Sequence, residues 1–542
     1  MKRTKIVSAV AALVAAASLA ACGVSTSDTT AAAGQSVVQA ADGSTTSGTS
    51  GTSATTASLT DNVASHAEAD DADYTASEAV TVTLADGASK ASSSTGVSVD
   101  GDTVAISSPG TYVLSGTLSD GQVVVDSDAE GTVRIVLDNA SISSSSASPF
   151  VIKAADEAVV VLADGTTNSL TDGASYGDDS STDDPNATLY SMADLTITGT
   201  GSLAVKGNSN DGIASKDGLV IQSGTIAVVA ADDGIRGKDY AIVEGGTIAV
   251  QAGGDAIKSD NETDDTVGYV SISGGSVTLA AGDDGIHAEG DLAVSGGTLT
   301  VKQSNEGIEG ATITLSGGTN TITASDDAVN VSMGTATTSD QAGQDGQDGQ
   351  GGQGGPGGGG MQDQTSQGAV LTISGGTNVI TSEGDGLDSN GSIVVTGGTT
   401  VVNGPTMNGN GALDSNGGIT VAGGTVVAAG SSGMAEAPET DSESGWVSVT
   451  FSSPVAAGET ISIVSGDAVV ASFTTAKETA SLVVAADGIT SGDSYDVYVG
   501  GSLASGPTGS YSAGGSIDGA SKVTTVTAGE HTASRGGMGG QR

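Results

Sequence analysis

Acidic residues recur along this chain at a regular spacing, in a pattern suited to holding a hard metal ion. A phrase of the type Asp-Gly-Ile returns about every 22 residues. Carboxylates and the backbone carbonyls of glycine-bearing turns are the oxygen ligands that Ca²⁺ prefers. The candidate calcium ligands are therefore the acidic members of these phrases: Asp211, Asp232, Asp233, Asp255, Asp283, Asp284, Glu306, Asp326, Asp327 and Asp385.

The charge balance of the chain is the reason to expect a cation at these phrases. The sequence holds 16 Lys plus Arg against 64 Asp plus Glu, a formal net charge of −48. If the phrases stack in adjacent repeats about 4.8 Å apart, neighbouring carboxylates repel by roughly 3 to 4 kcal/mol at an effective dielectric constant near 20. A dication between repeats would turn this repulsion into a bridge, and the acidic insertion 260–265 could add oxygens. The alternative is that the acids form turns and accept hydrogen bonds from backbone N–H groups.

A short run of cations lies beside the acids. Arg236, Lys258 and His287 occupy one position in three successive repeats, and Lys238 follows Arg236 by two residues. These four residues are the candidate carbohydrate contacts, because they could meet the carboxylates of an acidic polysaccharide. Ion pairs with the neighbouring acids are the alternative. The same net charge argues against binding nucleic acid and against docking directly on anionic lipid.

The elements that position these residues are short strands. Between successive acidic phrases, apolar residues alternate, and a Gly-Gly-Thr turn recurs with the same period. No helix-length amphipathic stretch interrupts the repeats. Repeats of about 22 residues with small turn residues predict an all-β fold, a single-stranded parallel β-helix whose like positions stack. The first apolar positions of the stack are Leu219, Ala241, Val270, Leu292, Ile313, Leu371, Ile393 and Ile419.

One polar pair is expected inside this stack. Asn320 and Asn378 fall in the same position of consecutive repeats if residues 334–367 loop out. Stacked strands favour ladders of asparagine side chains, so these two residues can hydrogen-bond to each other. Two exposed turn asparagines are the alternative.

The rest of the chain is divided by composition. Residues 1–22 combine Lys2, Arg3 and Lys5 with an apolar run that is too short to span a membrane and end in Leu-Ala-Ala-Cys. This resembles a bacterial lipoprotein signal, which would be lipidated at Cys22; an ordinary secretory signal is the alternative. The further predicted segments are a disordered Ser/Thr/Ala/Gly tether at 23–75, the repeat domain at 76–430 with a Gly/Gln-rich loop at 334–367, a small C-terminal β-cap at 445–500 and a flexible tail at 503–542.

Several motifs resemble a known bacterial carbohydrate-binding β-helix family. They are the segments Gly110–Gly116, Val159–Gly173, Asn210–Asp217 and Asp233–Asp239, and the resemblance extends over about residues 76–500. The family's founding member binds polygalacturonic acid and cellulose, folds as a right-handed parallel β-helix like the pectate lyases, and carries calcium. The resemblance therefore implies a right-handed coil with calcium and surface polysaccharide binding without established catalysis.

These observations together predict a cell-surface, calcium-dependent protein that binds acidic plant polysaccharide such as polygalacturonate or pectin. We expect a monomer on the extracellular face, attached to the membrane through its lipid anchor alone. Cellulose is less favoured because stacking on sugar rings needs aromatic side chains, and the chain has 3 Phe, 1 Trp and 9 Tyr. A calcium-dependent lyase, with Arg236 or Lys258 as base, and a structural surface adhesin remain open, since the fold alone does not decide function.

Overall fold

Parallel pairing between the strands of successive repeats dominates the fold. The computed structural model describes residues 59–176, 185–332 and 368–531, all within one unit, Ala54–Arg542. Within these ranges the chain is all-β, and a short 3-10 helix, Leu59–Asp61, is the sole helical element. In the same ranges no helix has the length and apolar character needed to cross a membrane.

The strands are numbered in chain order. Strands β1 to β10 are Val80–Ala85, Lys90–Ala91, Val97–Asp100, Thr103–Ile106, Gly110–Leu118, Gln122–Asp126, Thr132–Ser143, Phe150–Ala154, Glu157–Leu162 and Thr167–Thr171. Strands β11 to β22 are Ala187–Ser191, Leu195–Gly199, Ser202–Gly207, Asp211–Ser215, Gly218–Ile221, Thr225–Ala230, Ile235–Gly237, Tyr240–Val243, Thr247–Gln251, Ile257–Ser259, Tyr269–Ile272 and Ser276–Ala280.

The later repeats and the C-terminal region complete the series. Strands β23 to β35 are Ile286–Val294, Thr298–Gln303, Ile308–Leu315, Thr319–Thr323, Val329–Val331, Val370–Ile373, Thr377–Thr381, Leu387–Ser389, Ser392–Val395, Thr399–Asn403, Leu413–Ser415, Ile419–Val421 and Thr425–Gly430. Strands β36 to β44 are Trp446–Val455, Thr460–Ser465, Ala468–Thr474, Thr479–Ala485, Ser494–Val499, Ser502–Leu503, Tyr511–Ser512, Gly515–Ser516 and Ser521–Thr527.

Three parallel ladders run through the repeats and belong to one long sheet of 37 strands. The first ladder contains β11, β14, β17, β20, β23, β25, β27, β30 and β33. The second contains β12, β15, β18, β21, β23, β25, β28, β31 and β34. The third contains β13, β16, β19, β22, β24, β26, β29, β32 and β35. Strands β23 and β25 are long enough to contribute to two ladders. The pairings form one long, mostly parallel sheet.

The stacked apolar positions expected from the sequence are confirmed in the second and third ladders. Leu219, Ala241, Val270 and Leu292 pair in register and are at most 1 % exposed. One continuous cluster of buried side chains extends from Val82 to Ala485. A single repeat has too little apolar surface to fold alone, and stacking supplies the missing core.

The Gly-Gly-Thr turns stack as predicted and depend on glycine. Gly275 has a φ of 78°, in the left-handed region. A Cβ atom on Gly275 would lie 2.7 Å from the carbonyl carbon of Gly245 in the preceding repeat. The turn therefore needs glycine for its backbone conformation and for the close approach of the next repeat.

The asparagine ladder is confirmed. Asn320 and Asn378 are paired in register and are fully buried. The amide of Asn320 donates to Oδ1 of Asn378 at 2.7 Å, and the amide of Asn378 donates to Oγ1 of Thr400 at 3.1 Å. Three successive repeats of the third ladder are thus joined inside the core by side-chain hydrogen bonds.

The segment before β1 differs from the predicted disordered tether where it is described. Residues 62–74 lie along the second ladder: Val63 pairs through its backbone with Thr266, and the Tyr269 hydroxyl donates to the carbonyl of Val63 at 3.0 Å. Further along, Arg134 donates to the carbonyl of Asp71 at 2.8 Å. We call residues 62–74 the strap. Its ordering comes from partners distant in sequence. The predicted signal, Cys22 and residues 23–58 lie outside the described residues, as does the loop at 334–367.

The C-terminal region ends the parallel ladders with antiparallel strands. β39 pairs in antiparallel fashion with β35 and with β36. Beyond it, β42, β38, β37, β40 and β44 form a second sheet of 5 strands. The structure differs here from the predicted flexible tail, because Ser521–Thr527 pairs along β40 and places Val526 opposite Tyr495. Residues 532–542 lie outside the described ranges.

Candidate functional site

The cations and acids singled out in the sequence share one face of the first ladder. Ala214, Arg236, Lys258, His287 and Glu309 pair in register from strand to strand, as predicted. The same position continues beyond the predicted run as Asn330, Asp388 and Asp414. We call these eight positions the site column. It changes from cationic to acidic along the ladder.

The predicted calcium ligands form a second column beside it, in the turns that precede the strands. In five of these acids one carboxylate oxygen accepts from the backbone N–H of the next repeat: Asp211, Asp233, Asp255, Asp327 and Asp385. Asp233 N–H donates to Oδ1 of Asp211 at 3.3 Å, and Asp255 N–H donates to Oδ1 of Asp233 at 2.9 Å. Asp284 N–H donates to Oδ1 of Asp255 at 2.9 Å. Part of the acidic repeat is therefore explained by backbone hydrogen bonding, the alternative raised from the sequence.

The two members of each predicted Asp-Asp doublet differ in burial. Asp233 and Asp284 are buried, and Asp327 is half-buried. The first member of each doublet is exposed: Asp232, Asp283 and Asp326. The two members therefore face different surroundings, and the second one of each pair lies with the site column.

Arg236 and Lys258 both form ion pairs with neighbouring acids. Arg236 binds Asp260 through Nη2 and through Nε at 3.2 Å, and its Nη1 lies 3.8 Å from Oδ2 of Asp211. Lys258 Nζ lies 2.6 Å from Oδ2 of Asp255 and 3.5 Å from Oδ2 of Asp233. The buried carboxylates thus use one oxygen for the backbone and the other for a cation.

His287 lies between two carboxylates. Its Nδ1 is 3.1 Å from Oδ2 of Asp284 and 3.1 Å from Oε2 of Glu309. Burial disfavours the charged imidazolium, but the two hydrogen bonds outweigh it and raise the pKa of His287 to about 10. The hydrogen bond from His287 is also the main reason that the pKa of Glu309 falls to about 2.

These contacts change the expected role of the cations. Arg236, Lys258 and His287 were candidate glycan contacts, but their charged groups are engaged by the protein's own carboxylates. Lys238 is half-buried, and its ammonium has no ion pair with any residue in the described ranges. Of the four predicted contacts, Lys238 is the one left to meet a ligand.

The acidic end of the site column is different, because carboxylates there face each other. Burial raises the pKa of Asp388 to about 7, and the charges of Asp327 and Asp414 add to the effect. Burial likewise raises the pKa of Glu306 to about 7 and that of Asp385 to about 6. These raised pKa values show that the ionised forms are poorly compensated within the chain.

Sequence reasoning missed two of these residues, Asp388 and Asp414. Both follow a Leu that aligns with Ile235 and Ile257, so the alignment of repeats that gave Arg236 and Lys258 also gives them. The predicted column ends at Glu309, before the gap in the alignment that residues 334–367 create. The signal was therefore present in the sequence.

A groove of about 550 Å³ lies at the acidic end of the column. Its lining includes Asn416, Glu436, Glu439 and His531. Burial, reinforced by the charge of Asp414, raises the pKa of Glu436 to about 7. The groove thus extends the carboxylate-rich face onto the C-terminal region.

Comparison with known proteins finds a match in the middle of the chain. Residues 100–349 match the family model described as carbohydrate-binding domain-containing protein. A protein of that description from Acetivibrio thermocellus is 42% identical over 136 residues, which are 25% of this chain and 48% of the relative. The chain thus matches about half the length of that relative.

A solved structure, described as a polysaccharide lyase-like protein from C. thermocellum in its gadolinium derivative, is also similar. It shares 34% sequence identity at a TM-score of 0.38 and covers 44% of this chain and 92% of its own. The family match is narrower than the resemblance noted over residues 76–500 and includes the site column up to Asn330. Over residues 100–349, the chain is similar to carbohydrate-binding domain-containing proteins.

Proposed function

We propose that this chain binds an acidic polysaccharide, such as polygalacturonate or pectin, through calcium held at the acidic end of the site column. The observation that carries the proposal is the state of Asp388. Its half-buried carboxylate is surrounded by the charges of other acids, and it has no hydrogen bond or ion pair with any residue in the described ranges. The similarity of residues 100–349 to carbohydrate-binding domain-containing proteins supplies the class of ligand.

The donor set fits calcium. Glu306, Asp327, Asp385, Asp388 and Asp414 offer hard carboxylate oxygens on adjacent repeats, and the pKa of each of the first four is raised. Ca²⁺ takes 6–8 oxygen ligands and would favour the ionised forms of these groups. Calcium would supply charge neutralisation there and open positions for the ligand's oxygens.

The other predicted calcium ligands fit less well. Asp211, Asp233, Asp255 and Asp284 each lie next to a cationic side chain, and the first three also accept from a backbone N–H. Burial still raises the pKa of Asp211 to about 7 and that of Asp284 to about 6, but a cationic side chain already lies where calcium would bind. We therefore place calcium at the Glu306–Asp414 end rather than across all repeats.

Two features favour an acidic glycan over cellulose. Calcium can bridge the carboxylates of the protein to those of a uronate chain, although both polymers are anionic. Cellulose would need exposed aromatic rings. The stacked rings of Tyr240 and Tyr269 form such a pair, with centroids 5.2 Å apart, but both residues are 4 % exposed beneath the strap.

The contacts of the cations bear on the lyase alternative. Arg236 and Lys258 were the candidate bases for proton abstraction next to a uronate carboxylate. Both are held in ion pairs, and these pairs raise their pKa values above the usual range despite burial. A base must lose its proton, so this environment opposes that role.

The proposal also includes the architecture and location expected from the sequence. The three ladders fit a right-handed parallel β-helix, with the site column as one outer face of the coil. A lipid on Cys22 would hold the protein, as a monomer, on the extracellular face of the cell membrane. Polysaccharide of the surroundings would then reach the column from solution.

Affinity electrophoresis of the full chain in gels containing polygalacturonate tests the proposal. We expect retardation in Ca²⁺ that EDTA abolishes and that the double variant Asp388→Asn/Asp414→Asn reduces by roughly tenfold or more in affinity. The control is Asp232→Asn, which removes an exposed acid of an earlier repeat and should bind polygalacturonate like the parent. Equal retardation in EDTA, or a double variant that binds like the parent, would overturn it.

A further inference from the structure

We propose that Asp284, His287 and Glu309 form a binding site for a divalent transition-metal ion, with Zn²⁺ as the representative ligand. One donor atom from each residue lies within 4.8 Å of the other two. The imidazole nitrogen is central, at 3.1 Å from each carboxylate oxygen. This site goes beyond the proposed calcium and polysaccharide binding and does not depend on it.

The spacing of the donors suits a small ion. Zinc ligands lie about 2.0–2.2 Å from the metal, so two ligand atoms of a tetrahedral site are roughly 3.4 Å apart. The 3.1 Å separations on either side of His287 need to widen only slightly. No change of strand pairing is required, since His287 and Glu309 are direct partners in the first ladder.

The donor types select the class of metal. An imidazole nitrogen favours zinc, copper, iron or nickel, whereas calcium and magnesium favour oxygen alone. His287 is the one histidine in the site column, and Arg236 and Lys258 in the same position cannot serve as ligands in their charged forms. The position therefore offers a nitrogen ligand at one repeat only.

The surrounding hydrogen bonds orient the ligands. Ser332 Oγ donates to Oε1 of Glu309 at 2.6 Å, which leaves Oε2 directed at His287. The Asn330 amide nitrogen lies 3.4 Å from the same Oε1. Such outer contacts are usual around metal ligands because they fix the carboxylate in place.

Asn330 supplies a second, independent observation. Its side-chain oxygen is buried and has no hydrogen-bond partner in the described part of the chain. Leaving a buried polar atom unpaired costs about 1–3 kcal/mol. Asn330 pairs with Glu309 in register, and its amide nitrogen donates to Oε2 of Glu306 at 2.7 Å. The unpaired oxygen of this side chain could accept a hydrogen bond from a metal-bound water.

In the absence of metal, a proton takes the same place. The imidazolium of His287 pairs with both carboxylates, so a metal ion must displace the Nδ1 proton as it binds. A dication then replaces a single positive charge between two carboxylates. The coulombic attraction at the site increases, which offsets the loss of the proton.

The test is isothermal titration of ZnCl₂ into the untagged full chain, in excess Ca²⁺ so that oxygen-only sites are filled. We expect saturable binding that His287→Lys weakens by roughly tenfold or more. This variant keeps a cation between Asp284 and Glu309, as Lys258 does one repeat earlier, and removes the nitrogen ligand. Glu244→Gln, which removes an exposed acid outside the site column, should bind like the parent.

Co²⁺ gives a second readout that does not depend on folding energetics. Binding at the proposed site would produce the visible absorption of a nitrogen- and oxygen-ligated Co²⁺ ion, absent from His287→Lys and Glu309→Gln. If the parent chain binds no Zn²⁺ in calcium, or if His287→Lys binds it as tightly as the parent, the inference is wrong. Neither outcome affects the polygalacturonate test, which uses different residues.

Discussion

At the residue scale, the ammonium group of Lys258 neutralises two of the acids that lie in the turns before the strands. Its ammonium contacts Asp255 and Asp233, which are 3 % and 6 % exposed. Carboxylates buried to this degree are costly without a counter-charge. Lys258 therefore has a structural role. Its place among the predicted carbohydrate contacts did not indicate that role.

Lys258→Met tests this role. The variant keeps most of the apolar length of the side chain but leaves the two carboxylates uncompensated. We expect a loss of about 1–3 kcal/mol in the free energy of unfolding, measured by urea denaturation followed by circular dichroism. Lys302→Met, which removes an exposed lysine of the same repeats, should change stability by less than about 0.5 kcal/mol. Equal effects of the two variants would contradict the assigned role.

The sequence could predict the position of each site residue within its repeat. It could not predict the contacts of the side chain. The sequence placed Arg236, Lys258 and His287 at one position, because each follows the same apolar residue of its repeat. It could not decide which oxygens each cation meets. Asp260 was a possible calcium ligand, yet it forms an ion pair with Arg236 of the preceding repeat. That partner depends on the course of an insertion, which the repeat pattern does not describe.

At the element scale, the asparagine ladder joins three neighbouring strands of the third ladder. Asn378 is the middle member and makes hydrogen bonds to both sides. Its two neighbours, Asn320 and Thr400, are fully buried, so water cannot replace the bonds. The strands on either side of residues 334–367 are thus held in register from within the core.

Asn378→Ala should weaken this junction. The Asn320 amide and the Thr400 hydroxyl lose a partner, and each unpaired buried group costs about 1–3 kcal/mol. We expect a lower thermal midpoint, with the earliest loss of hydrogen-exchange protection in β26, β29 and β32. Thr321→Ala, an exposed change on β26, is the control and should shift the midpoint little. Uniform loss of protection across all strands would argue against a local junction.

The strands of the repeats could be predicted because every repeat gives the same information. Leu219, Ala241 and Val270 stack since like residues recur with one period, and errors in a single repeat are averaged out. The strap has no such repetition. Its hydrogen bonds reach residues 174 and 206 positions away, Tyr240 and Tyr269, and its own sequence is polar. Tertiary contacts alone order it, so composition suggested disorder.

At the scale of the whole molecule, the carboxylates with raised pKa make stability depend on pH. Glu306, Asp385 and Asp388 have folded pKa values of about 6 to 7, above their values in the unfolded chain. Above pH 7 both states are ionised and the folded state carries the full penalty. As the pH falls through the folded values, the folded state takes up protons first and the penalty is relieved. His66, whose pKa burial lowers, acts in the opposite sense below its unfolded value.

Because the acids outnumber that histidine, the protein in EDTA should melt at a higher temperature at pH 5.5 than at pH 8. Calcium binds the ionised carboxylates, so it should raise the melting temperature more at pH 8 than at pH 5.5. Differential scanning fluorimetry at the two pH values, with EDTA or Ca²⁺, measures both effects. The Asp388→Asn/Asp414→Asn variant should lose most of the response to calcium and part of the dependence on pH. A calcium shift that is equal at both pH values would contradict the argument.

The path of the strap determines which contacts bear the load when the chain is pulled from its N-terminal side. Val63 lies beside Thr266, and Asp71 lies beside Arg134, so the strap runs back along several repeats before β1 begins. A pull on the chain ahead of residue 59 would load the strap contacts near Tyr269 first, at the middle of the ladders. The hydrogen bonds of the strap would break one after another, at low force, before any strand of the ladders separates from its neighbours.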